Sequence, residues 1–464
     1  MLIFCIFLYL LCTVAIGWYA SRFVHNAQDF AIAGRRMPTY VVASGLFATW
    51  FGSETIMGAP SEFLSNGLLG VIEDPFGAAL CLFMIGFFFA KPLYKLNILT
   101  FSDYFRIRFS KKVEWISALF MIPSYFSWIA AQLVALAVIL QSVSGLPFQW
   151  GIFLGALVVT FYTYVGGMWS VAITDTIQTL IIVLGLGYLA ISLFLDLGFT
   201  ALKAYPFPED FFRFTPKSQS VSQWLLYFSA WITIGWGSTP QQDIFQRVLS
   251  AKSAKVAVQG AHWSGFMYLS IAILPLAISL FGKILYPEIG GDDPQMAIPQ
   301  LVLKHTALGM QIIFFGALLS AILSTCSGAV LAPATVFGEN LIRPLWGKKI
   351  DDENLLKMMR LSVVFIMCIA VFMAFQRGNI YELVGESSAL SLVALFVPLV
   401  AGLYWKKAQA LGAILSMCLG TASWGILNFV YEAPLAMLYG LLFSIIGMWI
   451  GSIPALSKNA SHSS

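Results

Sequence analysis

Four acidic residues lie inside strongly apolar stretches of this sequence, where an uncompensated charge is costly. They are Glu54, Glu73, Asp74 and Glu386. Ionisable side chains in lipid-spanning segments are rare and generally face a cavity or a partner, so these four are candidates for binding. No basic residue is near them in the sequence, and a cavity that they line would favour a cationic or zwitterionic solute. The alternative for Glu73 and Asp74 is a position at the outer end of their segment, facing water.

The overall composition is typical of a membrane protein. The chain has 464 residues, of which 59% are hydrophobic and 10% charged, and its mean hydropathy is +0.83. A soluble domain carries about 25% charged residues. The six cysteines form no CxxC pair and the four histidines match no zinc spacing, so we expect neither disulfides nor a metal cluster. The basic residues are scattered over short loops, which argues against a nucleic-acid partner.

The apolar runs predict an all-α membrane protein of about thirteen transmembrane helices, since about 20 residues cross a bilayer. The N-terminal run lacks a basic region and a clear cleavage site, so we expect a retained helix rather than a signal peptide. The predicted spans are 2–22, 38–62, 66–94, 113–143, 148–165, 170–195, 221–248, 254–282, 308–340, 354–376, 379–405, 408–430 and 433–453.

The distribution of positive charge predicts the orientation of these spans. With the N-terminus outside and the C-terminus in the cytoplasm, 20 of the 26 Lys and Arg residues fall in cytoplasmic segments, including Lys348, Lys349 and Lys458, while Arg377 falls outside. Cytoplasmic loops carry the excess of Lys and Arg. We therefore expect a multi-pass protein of the plasma or inner cell membrane, surrounded by the lipid bilayer and functional as a monomer.

Two predicted spans carry Trp, Gly and Ser at corresponding places near their middle. The first contains the run 48–54 (ATWFGSE) and the second the run 234–240 (IGWGSTP). Paired interruptions of this kind indicate the binding site of a transporter, because unwound backbone frees carbonyl and N–H groups. The alternative is glycine that permits close helix packing. The domain organisation predicted from these runs is an extra helix at 1–22, five-helix inverted repeats at 38–195 and 221–405, and two further helices at 408–453.

Several motifs resemble those of the sodium:solute symporter family. The stretch 162–170 (YTYVGGMWS), continued by 171–178, is similar to the signature of that family, and 57–60 and 324–327 match it further. The resemblance covers nearly the whole chain and is specific as a set. It implies the inverted-repeat fold of the leucine transporter, with one helix added before it and two after it. Three stretches are most similar to the high-affinity choline transporter group: 89–92, 166–178 and 245–250.

The resemblance also implies a sodium site. Sodium is a hard cation that prefers oxygen ligands, and Ala321, Ser324 and Thr325 share one helix face because of their i, i+3, i+4 spacing. The family's principal sodium site uses these positions and two backbone carbonyls, which carry over to Ala48 and Phe51. Without the resemblance, Ser324 and Thr325 would be interpreted as packing residues that bond to their own helix.

A second sodium position of some family members carries over to Asp175, Ser324 and Ser327. Gly328 departs from the family pattern there and removes one ligand. Asp175 is equally consistent with a structural carboxylate that accepts hydrogen bonds from hydroxyls.

The solute site implied by the choline transporter group carries over only in part. Aromatic cages bind quaternary ammonium through cation–π contacts. Trp50 and Trp128 match aromatic positions, whereas Gln241 stands in place of a tryptophan and Ala78 in place of a tyrosine. The incomplete cage and the added carboxylates predict a different solute, such as an amine, a betaine or an amino acid. The other solute-site candidates are Ser53, Tyr125, Gln132, Trp236 and Gln242, with Asp243 either at this site or paired with Arg247.

These features predict a sodium-coupled symporter that imports a small organic solute by alternating access, with sodium as its coupling ion and no cofactor. The chain has no Walker loop that would indicate ATP use, and no nucleophile–base arrangement that would indicate an enzyme. One alternative is a proton-coupled carrier with Asp175 or Glu54 as the proton relay. Another is a membrane sensor built on a transporter-like module, although the chain after Ser457 is too short for a signalling domain.

The combined replacement Ser324→Ala and Thr325→Ala tests the predicted sodium site. Since it removes two oxygen ligands, we expect it to raise the sodium concentration that gives half-maximal transport. Uptake measured over a sodium series checks this expectation, and an unchanged sodium dependence would reject the assignment.

Overall fold

A computed structural model of the chain describes residues 1–218, 220–291, 293–346, 351–376 and 379–453. Lys348, Lys349, Arg377, Lys458 and the predicted polar tail from Ser457 lie outside these ranges. Within them the chain is helical, and its one β-bridge joins Met37 to Ala251. The predicted all-α class is therefore confirmed.

The helices follow one another along the chain with short connections. They are α1 Leu2–Ala20, α2 Ala27–Ile32, α3 Thr39–Trp50, α4 Ala59–Asn66, α5 Ala78–Met84, α6 Ala90–Lys95, α7 Phe101–Arg108, α8 Lys111–Ser124, α9 Phe126–Ser144, α10 Phe148–Ala204, α11 Val221–Gly237, α12 Gln242–Ser250, α13 Ala254–Ile271, α14 Ile273–Leu285, α15 Ala297–His305, α16 Leu308–Val336, α17 Arg343–Trp346, α18 Asp352–Ala374, α19 Ile380–Ser391, α20 Val397–Tyr404, α21 Ala410–Phe429 and α22 Ala436–Ile450. Turns of π-helix lie at Glu54–Gly58, Ile72–Gly77, Ile85–Phe89, Phe337–Ile342 and Leu392–Phe396, and turns of 3-10 helix at Ser21–Phe23, Ala33–Arg35, Gly67–Val71 and Pro294–Met296.

Nine helical segments among the described residues are long and apolar enough to cross a membrane. Several consist of consecutive helices, such as Lys111–Ser144, which joins α8 and α9. The other predicted spans correspond to α1, to the interrupted helices α3–α4 and α11–α12, and to the 15-residue α22. A total of thirteen spans, and the boundaries of the two repeats, stay predictions.

Burial separates the central helices from those at the lipid boundary. In α16, 88% of the most apolar window is buried inside the protein, against 33% in α21. The outer helices expose large apolar side chains, including Leu184 on α10 and Phe429 on α21, which are 64% and 63% exposed. Contiguous apolar surface of this kind is stable in contact with lipid rather than water. The helices α3, α9, α10 and α18 surround α16 and hold it at the centre.

The long helix α10 changes direction at Gly167, where φ is +52° and ψ is −153°. A Cβ atom at this position would lie 2.5 Å from Cδ2 of Phe30, a fully buried side chain of α2. Only glycine combines this backbone conformation with so close a neighbour. Gly167 therefore separates Phe148–Val165 from the following transmembrane segment, Gly167–Ala204.

We expect Gly167→Ala to destabilise the protein by about 2 kcal/mol or more, because it adds both backbone strain and a steric clash. Thermal unfolding of the purified chain in detergent measures the change. Gly187→Ala in the same helix is the control, since a Cβ there meets no atom within 4 Å. Equal midpoints for the two variants would contradict the expectation.

Candidate functional site

The first predicted interruption is present in the structure. Helix α3 ends at Trp50, Phe51 leaves the helical conformation with ψ of 61°, and helical backbone resumes at the π-turn that begins at Glu54. A Cβ at Gly52 would lie 2.8 Å from Oε1 of Gln132. The same amide oxygen accepts a hydrogen bond of 3.1 Å from the backbone N–H of Ser53. A side chain of α9 thus satisfies backbone that the break exposes.

The second predicted interruption is also present. Helix α11 ends at Gly237, and Gln241 is extended before α12 begins. A Cβ at Gly237 would lie 2.3 Å from the carbonyl oxygen of Ser388, so α11 approaches α19 as closely as only glycine allows. The hydroxyls of Ser238 and Ser388 share a hydrogen bond of 2.9 Å across the same contact.

Two of the predicted sodium ligands, Ala48 and Thr325, are in contact between α3 and α16. Thr325 donates a hydrogen bond of 2.9 Å from its hydroxyl to the carbonyl oxygen of Ala48. The side chains of Ala321, Ser324 and Thr325 are at most 3% exposed, and Phe51 is fully buried. The Thr325 hydroxyl therefore faces the first break, whereas the Ser324 hydroxyl donates to the Asp175 carboxylate of α10. Both hydroxyls are buried inside the protein and away from lipid.

Asp175 is buried in an ion pair with Arg247, whose Nη2 lies 3.2 Å from its Oδ2. The Ser324 hydroxyl donates to the other carboxylate oxygen, and Ser327 donates to the Ser324 carbonyl at 2.9 Å. A Cβ at Gly328 would lie 2.9 Å from the same Nη2, so glycine leaves room for the guanidinium. The structure thus gives Asp175 a permanent basic partner in addition to a hydroxyl. Sequence reasoning missed this pair, because its members are 72 positions apart.

The alternative pairing of Asp243 with Arg247 takes a different form in the structure. Arg247 donates from Nη1 to the backbone carbonyl of Asp243 at 3.2 Å. The Asp243 carboxylate instead accepts a hydrogen bond of 2.6 Å from the hydroxyl of Tyr125. Tyr125, a predicted solute residue, therefore ties α8 to α12.

A small internal cavity lies beside both breaks. The cavity has room for about one water molecule, because the centre of a water molecule could occupy only about 10 Å³ inside it. An organic solute therefore needs the walls to move apart. The lining consists of Trp50, Glu54, Asp74, Ala78, Trp128, Ile234, Ser238, Gln241, Tyr268, Val384 and Ser388.

Five of the predicted solute residues line this cavity: Trp50, Glu54, Asp74, Trp128 and Gln241. Asp74 is fully buried rather than facing water, whereas the neighbouring Glu73 is half-buried and outside the lining. Ile234 and Ser238 belong to the run 234–240 that predicted the second break. Sequence reasoning missed Tyr268, Ser388 and Val384, since hydroxyl and aliphatic residues in apolar helices carry no distinguishing pattern.

The other predicted solute residues surround the cavity or lie away from it. Ser53 and Gln132 contact Glu54 but do not line the cavity. Gln132 donates a hydrogen bond of 2.9 Å to the Glu54 carboxylate. The side chain of Gln242 faces another direction, because its Oε1 accepts a hydrogen bond of 2.5 Å from the backbone N–H of Phe101. Trp236 stacks on Phe396 with ring centroids 5.2 Å apart.

The two carboxylates of the cavity have different partners. Glu54 accepts hydrogen bonds from Trp128 at 3.3 Å and from Gln132 at 2.9 Å. Asp74 accepts one at Oδ1 from the hydroxyl of Tyr268, at 2.7 Å. The Tyr268 hydroxyl is also 3.1 Å from the carbonyl oxygen of Trp50, so Asp74 is connected to the backbone of the first break.

The family model described as the sodium:solute symporter family matches residues 30–420. The chain belongs to this family. The predicted resemblance is therefore confirmed, and the family consists of membrane transporters rather than enzymes.

Curated relatives of this symporter include several high-affinity choline transporters. The human "High affinity choline transporter 1" is 29% identical over 89% of the chain and 74% of that protein's length. The Drosophila melanogaster "High-affinity choline transporter 1" is 27% identical over 87% of the chain, which spans 66% of that relative. The predicted likeness to the choline transporter group is thus confirmed as a likeness of sequence.

A solved structure of a Na⁺-coupled sialic acid symporter has the same fold. Its TM-score is 0.80, with 21% identity over 98% of this chain and 97% of the other. The predicted leucine-transporter-type fold is confirmed by this and related symporter structures.

The Asp175–Arg247 pair generates a stability prediction for this symporter. Arg247→Met leaves a buried carboxylate without its partner, which typically costs about 3–5 kcal/mol, so we expect a clear drop in the thermal unfolding midpoint. Adding Asp175→Asn removes the orphaned charge and should restore part of the loss.

The control for this pair is Lys357→Met, which breaks the exposed pair with Glu353 and should change the midpoint little. A double variant whose loss equals the sum of the two single losses would show that Asp175 and Arg247 do not interact.

Proposed function

We propose that this chain imports a small cationic or zwitterionic organic solute together with sodium. The observation that carries the proposal is the hydrogen bond from Thr325 to the carbonyl of Ala48, within the break of a transmembrane helix. It brings a hydroxyl of α16 to a main-chain oxygen of α3 in a buried region. Hard oxygen donors without a soft ligand suit a small monovalent cation.

In this proposal sodium binds between the Thr325 hydroxyl oxygen and the Ala48 carbonyl oxygen. The hydroxyl keeps its hydrogen and rotates it away from the ion. The carbonyls of Ala48, Phe51 and Ala321 and the hydroxyls of Ser324 and Thr325 supply its ligands. Because these groups come from both α3 and α16, a bound ion favours the arrangement in which the two helices are in contact. An ion that binds one arrangement better than the other shifts the population toward it.

The solute cavity adjoins the same break, so the ion and the solute act on one conformation. Trp50 and Glu54 flank the unwound residues and line the cavity. Closing α3 against α16 therefore positions two walls of the solute site. Release into the cytoplasm follows when sodium leaves into a low concentration, and rocking of the two predicted repeats gives alternating access. The orientation, with the N-terminus outside, and a monomeric state are parts of this proposal.

A proton-coupled carrier is the second candidate, favoured by the buried carboxylates of Glu54 and Asp74. Reconstituted vesicles distinguish the two. Uptake of labelled amines, betaines and amino acids is measured with a sodium gradient alone and with a pH gradient alone. We expect the sodium gradient to drive uptake, and uptake that follows only the pH gradient would reject sodium coupling.

Thr325→Ala should raise the sodium concentration for half-maximal uptake several-fold, because it removes one ligand. Thr49→Ala is a matched control, since Thr49 is equally buried and donates to the carbonyl of Gly45 on its own helix at 2.8 Å. An equal effect of both variants would contradict the ligand assignment.

A further inference from the structure

The cavity contains hydrogen-bond acceptors that have no donor. Oδ2 of Asp74 and Oε1 of Gln241 are both buried and lack a hydrogen-bond partner among the described residues. Buried polar atoms are nearly always paired, and each orphan costs free energy. Both orphans are acceptors, so the missing partner is a group that supplies N–H or O–H donors.

The cavity also carries two carboxyl groups and no positive charge. Glu54 and Asp74 belong to its lining, whereas none of the lining residues is Lys, Arg or His. The guanidinium of Arg247, in the adjacent helix α12, is already paired with Asp175. Two buried carboxylates without a counter-charge repel each other and are costly to desolvate. A ligand with two positive charges would balance both.

We infer that the transported solute is a short diamine, with one ammonium group at Asp74 and Gln241 and the other at Glu54. This inference rests on the proposed function and narrows its solute class. Each ammonium supplies three N–H donors, which pair the orphaned Asp74 and Gln241 oxygens. The methylene chain between them is narrow and packs on the rings of Trp50 and Trp128.

A quaternary ammonium fits these groups less well. Its nitrogen carries no N–H and cannot pair either orphaned oxygen, so its recognition depends on an aromatic cage. In this cavity, Ala78 and Gln241 occupy places on the wall without a ring. The geometry therefore disfavours choline, although curated relatives carry that name.

Thermal shift of the purified full-length chain in detergent tests the inference, with sodium or potassium as the only salt cation. The probes are putrescine, butylamine with the same four-carbon chain, and choline. In sodium we expect putrescine to act at a concentration about tenfold or more below butylamine, the factor that about 1.4 kcal/mol of interaction gives, and choline to act least.

Three variants connect the expected selectivity with the named groups. Glu54→Gln should bring putrescine and butylamine to similar potency, since it removes the second negative charge. Gln241→Leu should weaken both amines and leave the sodium-induced shift unchanged. Glu353→Gln is the control, because it makes the same change at an exposed carboxylate that pairs with Lys357 outside the cavity lining, and it should leave both responses unchanged.

The outcomes separate this inference from the proposed function. Choline binding as tightly as putrescine, equal binding of putrescine and butylamine by the wild-type chain, or a chain that sodium stabilises but no amine affects would overturn the diamine assignment. Binding of putrescine in preference to butylamine, without any response to sodium, would support the diamine assignment and reject sodium coupling.

Discussion

The rest of the structure depends on how the two helix breaks satisfy their backbone polar groups. Unwound backbone is tolerated at membrane depth only when other groups replace the missing hydrogen bonds. At the first break, Gln132 accepts from the Ser53 N–H, and Tyr268 and Thr55 approach the carbonyl of Trp50 within 3.1 Å. Side chains from α9 and α13 therefore stabilise the unwound conformation of the break. Because this backbone is fixed, its free carbonyl oxygens could line an ion-binding site.

Coupling between ion and solute follows from how few residues separate their contacts. The carbonyl of Ala48 meets Thr325, and two positions later the carbonyl of Trp50 meets Tyr268, which donates to Asp74. A shift of α3 relative to α16 thus moves a wall of the solute cavity at the same time. Because one short run of backbone carries both sets of contacts, the proposed ion and solute would each affect the geometry that the other meets.

The sequence predicted the parts of this site that depend on local composition. Glycine and serine near the middle of apolar spans predicted both breaks. The i, i+3, i+4 spacing, together with the family resemblance, predicted that Thr325 and Ala48 belong to one site. Contacts between distant helices were not predictable in this way. Tyr268 meets Asp74 across 194 positions, and Arg247 meets Asp175 across 72. No local sequence pattern indicates which distant carboxylate a tyrosine or an arginine will contact. Which residues line the cavity and which lie outside the lining is therefore decided by the packing of distant helices.

The two departures from the choline-type aromatic box have a common location. Ala78 and Gln241, which by the predicted resemblance stand in place of a tyrosine and a tryptophan, both line the cavity. Ala48 and Thr325, which the resemblance assigns to the sodium site, are in contact outside that lining. Replacing a ring by an amide removes a cation–π surface and adds a directional acceptor. In the proposed function, an alkali ion uses the Ala48–Thr325 contact, and the solute contacts the wall that carries Ala78 and Gln241. The altered residues at the solute wall therefore favour a solute other than choline, while the Ala48–Thr325 contact remains available for the proposed coupling ion.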